Sequence, residues 1–212
     1  MATHIDNVFK VKLVASNKLQ KVVRDTKYAV TESVIFDVTP DVIENRNVNY
    51  KTLDPIHMPG AIYIYGSTSS RTFNISNAKF VSRTKDEATA NMKKIHLLRS
   101  WAMPYFGKSN DVTSDGIDLL GAPPEVLRLY AYSSNSQGSS TMNTPMNIHN
   151  IPVVIMNLSI PYPSDVDYIQ TNDNIPFPTV MTVDIQLTET HSPSSYSSFS
   201  LKDFKNGTLD GF

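Results

Sequence analysis

The sequence predicts a mainly β fold with one helix, an α+β chain built as a barrel or sandwich of two antiparallel sheets. Three observations lead there. Short β-branched or aromatic runs alternate with period two, clusters of Pro, Gly, Ser and Asn separate them, and a single stretch carries strong helix start and stop signals. Six or seven strands are enough to enclose one core. Residues 1–191 read as one β domain and 192–212 as a C-terminal extension or arm.

The clearest strand is 180–188. Met181, Val183, Ile185 and Leu187 point one way, while Thr182, Asp184, Gln186 and Thr188 point the other, as in a strand with one wet face. Residues 153–160 are apolar on both sides, with Val154, Met156, Leu158 and Ile160 against Val153 and Ile155, so a central strand is expected. Further strands are expected at 8–14, 34–38, 62–65 and 126–132. In 73–80 the alternation of Phe73 and Ile75 resumes out of phase at Ala78 and Phe80, which predicts a bulge at Ser76 and Asn77.

The helix is expected over 85–103. Thr84 and Glu87 form a capping box, Asp86 and Glu87 suit the positive helix end, and Pro104 with Gly107 stops it. Ala88, Met92, Ile95, Leu98, Ala102 and Met103 share a broad core face. Ala90, Leu97 and Trp101 make a second apolar stripe, which needs either a covering loop or a neighbouring subunit. On the second option Leu97 and Trp101 are expected at a subunit interface, and Trp101→Glu is expected to block assembly without unfolding the chain.

The 212 residues carry a net charge of -1, so bulk charge announces neither nucleic acid nor an anionic membrane. The charge is uneven, with 17 Lys or Arg before residue 129 and none from 129 to 201, where five acids lie. Complementary stacking of identical subunits is one use of such a pattern. The absence of cysteine excludes disulfides, thiol catalysis and cysteine metal sites. No run approaches a membrane span of ~18 apolar residues, and the opening residues lack a secretory pattern, so a cytosolic chain is expected. Residues 133–150 are uncharged and rich in Ser and Asn, as in a mobile loop or a segment ordered only by assembly. Residues 192–200 repeat that character before Phe204, Leu209 and Phe212, three large apolar residues that read as an arm seeking a surface.

Chemistry is not signalled. His4, His57, His96, His149 and His191 have no ligand spacing, and there is no nucleophile elbow or phosphate-binding glycine loop. Asp165, Asp167 and Asp173 approach a calcium-loop pattern, but Ile169 and Gln170 stand where an oxygen ligand and a glycine are needed. Neither an enzyme nor a cofactor is expected. A sugar-binding β sandwich remains open, with Tyr63, Tyr65, Tyr130 and Tyr132 as an aromatic platform.

Several stretches carry a resemblance: PGAIYIYGSTSSRTFNISNAKF, KKIHLLRSWAMPYFG, GAPPEVLRLYAY, IPVVIMNLSIPYPSDVDYI, and above all PFPTVMTVDIQLTETHSPSSYSSFSLKDFKNGTLDGF. Together they resemble the tube initiator, tube cap and tail-tube junction proteins of contractile-tailed phages, relatives of tail tube proteins. The resemblance spans 8–212 and implies a tail-tube-like β barrel or sandwich flanked by a helix. It implies six copies closed into a ring on the baseplate hub, which initiates and anchors the tube. Its partners would be hub and wedge proteins, the tube protein or a second initiator ring, and the sheath, with DNA only as cargo through the channel. The chain is shorter than the family's familiar members, so the tube subunit itself stays open as an alternative. With the arm, the resemblance places Glu189, His191, Tyr196, Phe199, Phe204 and Phe212 in subunit or layer contacts.

Overall fold

The computed structural model describes residues 11–15, 33–104, 123–132, 148–206, 209, 211 and 212. Eleven strands and three helices follow in order: β1 (Lys12–Ala15), β2 (Ser33–Ile35), β3 (Asp41–Asn45), β4 (Val48–Leu53), β5 (Ile62–Thr68), β6 (Thr72–Val81), α1 (Lys85–Trp101), β7 (Leu127–Ala131), β8 (Ile148–Ser159), β9 (Tyr168–Gln170), β10 (Pro176–Pro178), β11 (Val180–Glu189), α2 (Pro193–Ser197) and α3 (Leu201–Lys205). The chain is mainly β, and every strand pairing is antiparallel.

Seven strands form one sheet in the order β2-β1-β7-β8-β11-β6-β3, and β4-β5 and β9-β10 are separate ribbons. The expected division into two sheets takes a different form: one large sheet bends over its own core. Laid flat, its outer strands would stand roughly 29 Å apart at the usual strand spacing. Yet β2 and β3 are joined only by residues 36–40, which span at most about 20 Å. The sheet must therefore curl. The link shows where it does so. Phe36 packs on Phe80 of β6 with ring centroids 5.5 Å apart, and Asp37 Oδ2 accepts from the Val81 amide at 3.3 Å. From beyond β7, the Tyr132 hydroxyl donates to the Pro40 carbonyl at 3.3 Å.

The core fills this curl. Alternation selects it, because Leu13 of β1, Phe73, Ile75 and Phe80 of β6, Leu127 and Leu129 of β7, and Met181, Val183, Ile185 and Leu187 of β11 are all buried. Asp184 and Gln186 on the other face of β11 are exposed, as the sequence predicts. The predicted bulge is also present. Ala78 pairs with Val183 and Ile75 with Ile185, leaving Ser76 and Asn77 opposite Asp184. Asn77 takes a left-handed φ of 56°, and its amide donates to Asp184 Oδ1 at 2.9 Å.

Helix α1 packs against β2, β6 and the β9-β10 ribbon. Its capping box is formed, with Thr84 Oγ1 accepting from the Glu87 amide and Glu87 Oε2 accepting from the Thr84 amide, both at 3.3 Å. Asn91 is buried and donates to the Val81 carbonyl and to Ser82 Oγ, both at 3.1 Å, which fastens the helix to the end of β6. The β9-β10 ribbon ties down the first turn of the helix: Asn172 Nδ2 donates to Asp86 Oδ1 at 2.9 Å.

Trp101 corrects the expected interface. It is only 2% exposed and belongs to the chain's own core. On a helical wheel it stands about 60° from buried Leu98, so the core face is wider than one stripe. Leu97 is half-buried and packs against the same core, whereas Ala90 is exposed. The loop at 133–147 and the first residues of the expected strand at 8–10 lie outside the described residues.

Candidate assembly surfaces

The β4-β5 ribbon stands away from the core. None of its strand residues is buried. Register sorts its side chains, since Tyr50 pairs with Tyr65, Thr52 with Tyr63, Lys51 with Ile64, and Leu53 with Ile62. One face therefore carries Tyr50, Tyr63 and Tyr65, and the other carries Leu53, Ile62 and Ile64. Both faces are wet: Tyr63 is 68% and Tyr65 59% exposed, and the three aliphatic residues are exposed as well. Tyr50 meets Tyr65 edge-on at 6.1 Å. Gly66 has no opposite partner, because Ser67 pairs with Asn49 and Tyr65 with Tyr50. A Cβ there would stand 3.1 Å from the Asn49 carbonyl oxygen, so the close strand approach at this bulge favours glycine. The loop between the strands exposes Ile56 and Met58 too.

A second constellation lies where the ribbon leaves the sheet. Continuing the inward alternation of β11 beyond Leu187 gives Glu189, and continuing that of β6 before Phe73 gives Arg71. Charges thus occupy the end of a row of core positions. Glu189 and Arg71 are both buried. Arg71 donates through Nη2 to Glu189 Oε1 at 2.6 Å, through Nε to Oε2 at 3.0 Å, and through its amide to Oε2 at 3.2 Å. Arg46 Nη2 also reaches Oε2, at 3.2 Å, and Arg71 Nη1 reaches Glu44 Oε1 at 3.3 Å. The Arg71 guanidinium lies 5.5 Å from the Phe73 ring centre. Burial opposes charge on Glu189, but the hydrogen bonds from Arg71 and His191 and the positive charge of Arg71 outweigh it and lower its pKa to about 2. Burial likewise opposes the charge of Arg71, and Glu189 and Glu44 outweigh it, raising its pKa.

The C-terminal residues fold onto this cluster. His191 Nε2 lies 2.7 Å from Glu189 Oε1. An ionised carboxylate only accepts, so Nε2 is the donor. The imidazole stacks on Phe212, with centroids 4.1 Å apart and planes 12° from parallel, and meets Tyr196 edge-on at 5.3 Å. Phe199 joins Phe212 at 5.3 Å and Phe204 at 5.7 Å. Gly211 is buried with φ of 80°, and a Cβ there would stand 3.2 Å from the Asn150 carbonyl oxygen.

The sequence-predicted interface residues thus divide. Trp101 is in the core, Glu189 and the His191 ring are turned inward, and Phe204 and Phe212 are half-buried in the chain's own aromatic cluster. Tyr196 and Phe199 keep exposed surface, joined by Leu201. The expected C-terminal arm contains two short helices. Ser192 and Ser200 accept from the Ser195 and Asp203 amides as N-caps. The ribbon residues Tyr50, Leu53, Ile62 and Ile64, and the clamp residues Arg46 and Arg71, were not singled out as a site. Arg71 and Glu189 were within reach by extending two alternations by one step each.

Among the described residues no cluster of three metal-ligating side chains occurs, including around Asp165, Asp167 and Asp173. His57 and His96 are exposed, and His149 meets Tyr130 edge-on at 5.2 Å. A shallow cavity of about 320 Å³ beside α1 mixes Asp37, Arg83, Glu87 and Lys94. Lys94 there pairs with Asp37 at 3.0 Å, an ion pair near the surface. In comparison with known proteins, no family model matches the chain and no curated protein is significantly similar to it.

Proposed function

We propose that this chain is a structural subunit of a contractile phage tail, assembled in the host cytoplasm into a sixfold ring on the baseplate hub, where it initiates and anchors the tail tube. The observation that carries the reading is the β4-β5 ribbon, which exposes tyrosines on one face and Leu53, Ile62 and Ile64 on the other and is buried on neither. Two-stranded ribbons are marginal alone in water, and contiguous exposed apolar surface marks interaction sites. A ribbon with large apolar and aromatic side chains exposed on both faces suits a position between protein layers, where both are covered. The sequence resemblance to tube initiator and cap proteins supplies the identity of those layers. In this reading the neighbouring copies, the hub and wedge proteins, the tube protein or a second initiator ring, and the sheath are the partners, and DNA passes only as cargo. The work is geometric: a preassembled ring presents a tube-like edge, so tube growth starts from a formed nucleus.

A sugar-binding reading has one observation in its favour, the cluster of Tyr50, Tyr63 and Tyr65. It uses one ribbon face and leaves Leu53, Ile62 and Ile64 unexplained, and Tyr130 and Tyr132 are half-buried on β7 and just beyond it. The assembly reading is therefore preferred. Cryo-electron microscopy of tailed particles containing the chain tests it. Sixfold density between hub and tube is expected. Density repeated along the tube would make this the tube subunit, and a peripheral position would discard both.

A further inference from the structure

The ribbon is attached through two short joints, and each joint carries an arginine. Arg46 lies between β3 and β4, and Arg71 lies between β5 and β6. The joints are also tied to each other, with the Ser69 amide donating to the Asn47 carbonyl at 2.9 Å and Ser69 Oγ to the same oxygen at 3.0 Å. Both arginines hold one carboxylate, that of Glu189. Its Oε1 also binds His191, the ring on which Phe212 stacks.

We propose that Glu189 couples the ribbon to the C-terminal segment, so that seating Phe212 on His191 holds the ribbon in one posture and lifting the segment releases it. Three features make the coupling physical. A buried carboxylate shared by three donors cannot lose one without redistributing the others, because each unpaired charge in such a site is costly. Arg46 is the partner best able to swing away, since its side chain is 40% exposed while those of Arg71 and His191 are 7% and 4% exposed. The segment itself is two single-turn helices without a buried residue, and its last ring, Phe212, stacks on His191. The coupling goes beyond ring formation and holds or fails in the isolated chain.

Coupling between two sites is reciprocal, and that sets the test. Hydrogen–deuterium exchange is followed in the full chain for wild type, Phe212→Ala and Arg46→Gln. Phe212→Ala is expected to speed exchange in 47–53 and 62–69 about tenfold with β8 and β11 unchanged, and Arg46→Gln to speed 193–205 by a similar factor. If each variant loosens only its own segment, the proposal is overturned. Should Phe212→Ala loosen the whole sheet, Arg46→Gln decides alone: faster exchange in 193–205 supports the coupling, and unchanged exchange there refutes it.

Discussion

Strands β5 and β6 are separated by only Ser69, Ser70 and Arg71, and both are rich in β-branched and aromatic residues, yet their fates are opposite. In β6, Phe73, Ile75, Ala78 and Phe80 are buried, whereas in β5 nothing is. The difference lies in what faces them. β6 sits between β3 and β11 over the core, and β5 has β4 alone. Apolar alternation therefore marks a strand that will be covered, but whether the cover comes from the same chain is a property of topology.

Substitutions in the two regions should separate accordingly. The largest effect is expected from Trp101→Glu, which empties an indole site and puts a carboxylate in the core. The loss is roughly 4 kcal/mol or more, seen as collapse of cooperative unfolding in a denaturant titration. Survival of a folded, assembly-defective chain would restore Trp101 to an interface. Glu189→Gln comes next. It leaves buried Arg71 with only the more exposed Glu44 as countercharge and is expected to cost about 3 kcal/mol in the same titration.

Acid should act through the same carboxylate. The folded-state pKa of Glu189 is about 2, below its ordinary 4.5, so its contribution of roughly 3 kcal/mol is complete above about pH 5. It fades as pH falls through the folded value and is gone below it. Stability measured from pH 6 to pH 2 should show this slope in wild type and a shallower one in Glu189→Gln; equal slopes would remove Glu189 as the cause. The smallest stability effect belongs to the ribbon. Tyr63→Ser should shift the isolated chain by no more than about 0.5 kcal/mol while blocking ring incorporation. A large loss of stability would mean that the ribbon is covered within the chain.

Much of the body was legible in the sequence because its signals are local. The alternation of β11, the phase slip at Ser76 and Asn77, and the Thr84–Glu87 capping box each dictate structure over a few residues, and each appears as expected. The curl was not legible, since it follows from β2 and β3 standing at opposite ends of the sheet with a five-residue link between them. Strands β3 and β4 lack alternation, as DVIEN and VNYKTL are largely polar, and they form because β6 and β5 present edges to them. The two short helices of the C-terminal segment were not legible for another reason. The segment's serines read only as loop-like, although Ser192 before Pro193 is also a helix start, and that local chemistry prevails. The candidate site was legible as residue type in the tyrosines and isoleucines of β5, but their lack of cover required the fold.

The most direct test of the ribbon as an assembly surface uses the absence of cysteine from the chain. Tyr63→Cys introduces a sole thiol on the tyrosine face, whose reaction rate with a maleimide reports cover at that point. The account predicts rapid labelling of the free chain and strong protection in assembled tails. Equal rates in the two states would contradict it, because the ribbon would then face solvent where neighbouring copies should lie.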